Sequence, residues 1–139
     1  MGFAPERTYW IANEWYWRIT ENTTTLTLED ALRDFVKPLV ALADRTARAD
    51  VSGGELAIEF AGQPTRIAIA TELRARVAIN HLISDLNRML AAAERDQAFA
   101  LVIPRRYELC GVMLSGAELD RLWGDPVLLV PSSRRSWNG

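Results

Sequence analysis

Residues 55–70 read ELAIEFAGQPTRIAIA and alternate polar with apolar side chains on both sides of a Gly-Gln-Pro turn at 62–64. Apolar side chains at every second position are typical of a strand, because successive side chains of a strand point to opposite faces. Two such runs around a turn of this composition predict a β-hairpin with strands at 55–60 and 66–70.

Helical periodicity flanks this hairpin on both sides. Residues 72–95 carry apolar side chains at intervals of three and four, which predicts a long helix with one core-facing side. The same spacing over 28–49 follows Thr27, whose hydroxyl suits an N-cap, and predicts a second long helix. Pro38 lies inside this pattern and lacks a backbone donor, so we expect a kink near Lys37.

Aromatic side chains crowd the N-terminal segment between Thr8 and Thr20. Aromatic residues favour strands, and we predict a strand that begins at Trp15 and ends at Thr20. A short helix after Pro5 is the alternative, because Glu6 would suit the first turn of a helix.

The C-terminal half of the chain predicts a second hairpin, a short helix and a last strand. Apolar runs at 98–103 and 107–114 surround a turn and predict a pair of strands. Ser115 is followed three residues later by a glutamate, the pattern of a capping box, which predicts a helix over 115–123. A short apolar run predicts the last strand at 127–130.

These elements predict an α+β fold in a single domain over 1–131, followed by a polar C-terminal tail at 132–139. A chain of 139 residues has the usual length of one domain. Hairpins place neighbouring strands antiparallel, so we predict two layers: a mostly antiparallel sheet of about five to six strands with the two long helices on one face. The other face of that sheet is then left to solvent or to a partner.

Composition argues against several classes of protein. The net charge of −2 disfavours a general nucleic-acid binder, which needs a basic surface to neutralise phosphates. The single cysteine, Cys110, excludes an internal disulfide and a cysteine-rich metal site. No apolar run approaches the ~20 residues that cross a bilayer, and the N-terminal residues lack a signal-peptide pattern. We therefore expect a cytoplasmic protein without membrane association.

His81 and Cys110 are the residues to consider first for catalysis. His81, the only histidine, shares the predicted polar side of its helix with Ser84 and Asp85. This composition is typical of a solvated helix face, whereas catalytic triads are assembled from separate parts of a fold. Cys110 falls in a predicted strand, and free cysteine usually packs in the core. We predict no catalytic residue, no metal site and no cofactor.

A surface for a protein partner is predicted on the aromatic segment and on the acids of the first helix. Tryptophan and tyrosine are preferred anchors of protein interfaces, although the aromatic cluster would alternatively pack in the core. The acids of the first helix, with Glu55 and Glu59 of the next strand, usually form a solvated face; alternatively, they would offer a negative surface that orients a basic partner. The predicted contact residues are Trp10, Glu14, Tyr16, Arg18, Glu29, Asp30 and Asp34.

Together these features predict a non-enzymatic protein-binding module, an immunity- or antitoxin-type inhibitor that covers the active site of a partner protein. Missing catalytic motifs, acids in the first half and an aromatic segment are general traits of small bacterial proteins of that type. The first alternative is a small-molecule-binding domain or modest enzyme with a pocket lined by Trp15, Trp17 and Tyr107, near Glu108. The second is a structural homo-oligomeric subunit, such as a homodimer formed through the open sheet face or the last strand.

Overall fold

The computed structural model describes residues 5–11, 36–69 and 75–130. Strands and helices alternate along these ranges, which confirms the predicted α+β class. The strands are β1 (Thr8–Ile11), β2 (Arg48–Ser52), β3 (Glu55–Phe60), β4 (Gln63–Ala68), β5 (Gln97–Val102), β6 (Leu109–Ser115) and β7 (Leu128–Val130). The helices are α1 (36–41), α2 (Ala75–Ala92) and α3 (Gly116–Leu122), with a short 3-10 turn at Pro5–Arg7.

The strands form two antiparallel sheets rather than the single sheet that was predicted. One sheet has the strand order β1-β6-β5-β7, and the other has the order β2-β3-β4. Each predicted hairpin is present, but the two hairpins belong to different sheets. Both sheets contribute apolar side chains to one large core together with α1 and α2, so the hairpins meet through their side chains and not through hydrogen bonds.

Strand β2 is the clearest departure from the predicted elements. The first long helix was predicted to continue to residue 49, whereas helical structure ends at 41 and residues 48–52 form a strand. Exposed and buried side chains alternate strictly along β2, which is the period of a strand. Gly53 and Gly54 both have positive φ (59° and 74°) and make the two-residue turn into β3. Residues 28–35 of the predicted helix lie outside the described residues.

The predictions for α2, α3 and the last strand are confirmed, with ends that differ by a few residues. Ser115 accepts a hydrogen bond from the backbone N–H of Glu118, and Glu118 accepts one from the N–H of Ser115, so the capping box is present. At the N-terminus, the short 3-10 turn is followed by a strand at Thr8–Ile11. The predicted strand from Trp15 to Thr20 and the tail at 132–139 lie outside the described residues.

Strands β5 and β6 of the four-stranded sheet are buried on both faces, so this part of the sheet does not have the predicted open face. One face joins the large core, where Gly111 leaves room for Leu39 of α1: an added Cβ would lie 2.9 Å from the Leu39 Cδ1 atom. The opposite face packs against α3 in a second apolar cluster around Cys110 and Val112. A homodimer could therefore not form through an open face of β5 and β6, while β7 is outermost among the described strands on its side of the sheet.

Arg7 connects the N-terminal turn to the end of β6 and to α3. Its guanidinium donates to the Met113 carbonyl oxygen from Nε (3.0 Å) and Nη2 (2.7 Å), and Nη2 also contacts the Glu118 carboxylate. This contact with Arg7, helped by the backbone N–H of Ser115, lowers the pKa of Glu118 from its usual 4.5 to about 2. The capping carboxylate of α3 is therefore held by a residue more than a hundred positions away in the chain.

The Arg7–Glu118 pair predicts an acid-sensitive part of the folding stability. A carboxyl whose pKa is lowered in the folded state stabilises the fold above its unfolded pKa, and this contribution is lost as pH falls from about 4.5 to about 2. The side chains of Arg7 and Glu118 are 35% and 27% exposed, so we expect about 1–2 kcal/mol at neutral pH. Urea unfolding of wild type and Glu118→Gln across this range should show the difference shrinking towards low pH.

A double-mutant cycle separates this ion pair from the loss of the cap itself. Arg7→Ala should reproduce the acid-sensitive part of the loss, and the Arg7→Ala/Glu118→Gln double variant should lose less than the sum of the single changes. A stability difference that stays constant down to about pH 2 would contradict the assignment.

Candidate functional site

Trp10 lies on β1, which is outermost among the described strands of the four-stranded sheet, and it is the most exposed large apolar side chain in the described ranges, at 57%. Its Cα is paired with that of Cys110 in β6, so Trp10 shares the sheet face of the second apolar cluster. The preceding residue, Tyr9, points to the other face and packs against the large core. Strand alternation therefore divides two adjacent aromatic residues, one towards the core and one towards solvent.

Tyr107 lies at the same end of the four-stranded sheet as Trp10. It falls two residues before β6 begins, whereas Trp10 is paired with the second residue of β6. Its side chain is 45% exposed and its φ is +65°, an uncommon conformation for a residue that is not glycine. The guanidinium of Arg106 lies 4.8 Å from the centre of the Tyr107 ring, and the adjacent Arg105 is also exposed.

We use the name aromatic surface for four residues at this end of the sheet: Trp10, Arg105, Arg106 and Tyr107. Tryptophan, tyrosine and arginine are the residue types most enriched among the energetic centres of protein interfaces. A guanidinium held against an aromatic ring keeps its charge while covering apolar area, so such a pair offers a partner both dispersion contacts and hydrogen-bond donors. The aromatic surface thus has the chemistry of a protein contact.

One of the seven predicted contact residues, Trp10, lies in the described ranges, and it is exposed. The remaining contact residues, and two of the three aromatics of the alternative pocket, fall outside the described residues. They are Glu14, Tyr16, Arg18, Glu29, Asp30, Asp34, Trp15 and Trp17.

Glu55 and Glu59 lie on the solvent-facing side of β3, as preferred for them from the sequence, and each has a basic side chain near it. Glu55 forms an ion pair with Arg66 of β4 at 3.4 Å, and Glu59 is paired in register with Arg48 of β2. These side chains lie on the exposed face of the three-stranded sheet, as the burial patterns of β2 and β3 show. That face carries charges of both signs, since Asp50 of β2 lies on it together with the two glutamates and the two arginines.

The candidates for catalysis are not brought together. His81 is exposed on α2, while Ser84, predicted to share its side of the helix, is buried. Cys110 is fully buried in the second apolar cluster, and this burial raises the pKa of its thiol. Core packing, the preferred interpretation of Cys110, is confirmed. One cleft lies between β4 and α2 and another lies along β2, β3 and β4, and neither is lined by His81, Cys110 or Tyr107.

Sequence reasoning missed a cleft of about 490 Å³ between β4 and the C-terminal half of α2. No local pattern could have indicated it, because its two walls are an edge strand and a helix whose pairing depends on the whole fold. The aromatic surface was partly predictable, since Trp10 and the arginine pair are visible in the sequence.

No protein-family model, no curated protein and no solved structure matches this chain. The chain is an α+β protein in which two antiparallel sheets share one core. In the described ranges, no helix has the length and apolar character to span a membrane. The same ranges contain no group of three or more His, Cys, Asp or Glu side chains arranged to hold a metal ion.

Proposed function

We propose that this chain is a cytoplasmic, non-enzymatic protein-binding module, an immunity- or antitoxin-type inhibitor that covers the active site of a partner protein. The observation that carries the proposal is the exposure of Trp10 on β1, at the same end of the four-stranded sheet as Tyr107 and two arginines. Burial of an exposed indole by a partner contributes several kcal/mol to the free energy of binding, and such residues dominate the binding energy of interfaces.

The contact residues of this proposal begin with the aromatic surface. The proposal also keeps the contact residues that were predicted from the sequence alone, which are Glu14, Tyr16, Arg18, Glu29, Asp30 and Asp34. A fully formed edge strand supports Trp10, since all four residues of β1 are in register with β6. A rigid support lowers the entropy that an anchor residue loses on binding.

Replacing Trp10 by alanine should weaken binding of the partner protein. The tagged wild type is used to capture proteins from its native lysate, and any protein recovered in stoichiometric amount is identified by mass spectrometry and purified. We expect Trp10→Ala to weaken binding of that protein at least about ten-fold, as for a central interface residue. The partner's own activity should fall on addition of wild type and not on addition of Trp10→Ala.

Val77→Ala is the matched control, because Val77 is an exposed apolar residue on α2, apart from the aromatic surface. Thermal unfolding should show that both variants are folded. The proposal fails if the two variants bind the captured protein equally well, or if the bound partner keeps its full activity.

A further inference from the structure

The N-terminal turn and β1 are much less buried than the strands at the centre of the same sheet. Residues 5–11 include one buried side chain, that of Ile11, which belongs to the large core, and Tyr9 is partly buried against it. By contrast, all residues at 98–102 of β5 and at 109–114 of β6 are buried. Segments with few buried apolar contacts open first from a folded protein, so residues 5–10 are a weak end of this sheet.

The backbone groups of β6 alternate between its two neighbouring strands. The Asn87 amide bonds both the N–H and the carbonyl oxygen of Phe99, so the backbone groups of odd-numbered residues of β5 point away from β6. Even-numbered residues of β5 then bond to their even-numbered partners in β6. The odd-numbered residues of β6, at 109, 111 and 113, therefore face β1.

Arg7 completes the pairing of β6 at the N-terminal end of β1. Two of the three residues that face β1 are in register with Tyr9 and Ile11. The third, Met113, lies beyond the end of β1, because the chain at 5–7 forms the 3-10 turn. The Arg7 side chain returns to this place and donates to the Met113 carbonyl oxygen from Nε at 3.0 Å and from Nη2 at 2.7 Å. A side chain thus takes the place of the next backbone pair.

The same guanidinium also contacts the Glu118 carboxylate, which accepts a hydrogen bond from the N–H of Ser115. Both acceptors of Arg7 belong to elements that pack in the second apolar cluster, namely β6 and α3. We use the name Arg7 clasp for the contacts of Arg7 with the Met113 carbonyl oxygen and with the Glu118 carboxylate. The clasp ties the exposed N-terminal end of β1 to a buried part of the fold.

Trp10 lies between the two points that hold β1. On one side of it, Ile11 is fixed in the large core, and on the other side the Arg7 clasp closes the strand on β6. The backbone groups of Trp10 point away from β6, since its neighbours in β1 are the residues that face β6. Opening of the clasp would therefore free Trp10 together with the turn, while Ile11 stays in place.

We propose that residues 5–10 form a strap that opens from β6 about Ile11 while the rest of the fold stays closed, and that the Arg7 clasp holds this strap shut. Trp10 moves with the strap, so the aromatic surface is complete only in the closed position. This consequence for a partner rests on the proposed function, whereas the opening itself does not.

Amide hydrogen exchange of the full chain, followed by NMR without a partner, tests the opening. Three neighbouring N–H groups of β6 are the reporters: that of Gly111 faces Tyr9, that of Leu109 faces Ile11 and that of Val112 faces β5. We expect Gly111 to be protected at least about ten-fold less than the other two. Low concentrations of urea should accelerate exchange at Val112 more steeply than at Gly111, because global unfolding exposes more surface than the strap does.

Variants of the clasp test the role of Arg7. Arg7→Ala should raise the exchange rate of Gly111 at least about ten-fold, because the closed strap loses its clasp. Arg7→Lys keeps the charge but offers one nitrogen in place of two, so it should restore only part of the protection. Arg121→Ala is the matched control, since Arg121 is an exposed arginine of α3 outside the clasp, and it should change this rate by less than about two-fold.

Leu86→Ala separates opening of the strap from global unfolding. Leu86 is buried on α2 and keeps its packing whether the strap is closed or open. Its replacement should therefore accelerate exchange at Val112 at least about ten-fold more than at Gly111.

Three results would each overturn the proposal. The first is equal protection and equal urea dependence at the three reporters, since the sheet would then open only as a whole. The second is equal acceleration of Gly111 and Val112 by Leu86→Ala. The third is an unchanged rate at Gly111 in Arg7→Ala. Because these measurements need no partner, they are independent of whether Trp10→Ala weakens binding in the capture experiment.

Discussion

Asn87→Ala should lower the free energy of unfolding by about 2–5 kcal/mol, because it leaves two buried backbone groups without partners. The Asn87 Nδ2 donates to the Phe99 carbonyl oxygen at 3.1 Å, and its Oδ1 accepts from the Phe99 N–H at 2.6 Å. Strand β7 is in register only with Leu101 and Val102 of β5, so it does not reach Phe99. The side-chain amide of α2 therefore takes the place of a neighbouring strand.

Ser84→Ala is the matched control for this prediction. Ser84 lies one turn earlier on α2 and is also buried, but its hydroxyl has no hydrogen-bond partner in the described part of the chain. Removing an unpaired buried hydroxyl should change stability by less than about 1 kcal/mol, or raise it slightly. Urea unfolding measures both variants, and equal losses would show that the amide of Asn87 does not replace a strand.

Leu86→Ala should destabilise the protein by about 2–5 kcal/mol, through lost apolar burial and the cavity that remains. Leu86 is completely buried on the side of α2 that meets the large core, which contains side chains of both sheets. Because this core joins the two sheets, the loss should appear as a single cooperative transition at lower urea concentration.

His81→Ala provides the comparison, since His81 is exposed on the same helix. We expect its effect to stay within about 0.5 kcal/mol, as for most surface substitutions. A neutral result for Leu86→Ala, or similar losses for both variants, would contradict the orientation of α2 on the core.

Elements with a clear local pattern were predicted from the sequence. The alternation at 55–60, the three-and-four spacing over 72–95 and the Ser115–Glu118 capping box all correspond to observed elements. Each depends on residues close together in the chain, where the period of the side chains reports which face is buried. Strand β2 was missed because apolar residues just before Gly53 also fitted a helical spacing.

The sequence indicated which types of residue form the candidate site, but it did not indicate where in the fold they lie. Trp10 was a predicted contact residue, and its exposure depends on its position on an edge strand next to β6. Tyr107 was placed in the pocket of the alternative hypothesis, and the structure shows it 45% exposed with a positive φ. The basic neighbours of Glu55 and Glu59 were not predictable, because the ion pair with Arg66 and the register pairing with Arg48 both depend on how the strands pair.

The amino-acid sequence by itself determined the α+β class, both hairpins, the long helix α2 and the start of α3, since these depend on periodicity and capping within a few residues. Tertiary structure alone decided that the described strands form two sheets and that a cleft lies between β4 and α2. The physical reason is that pairing and burial are set between distant residues. Asn87 with Phe99, and Arg7 with Glu118, are contacts that no local pattern contains.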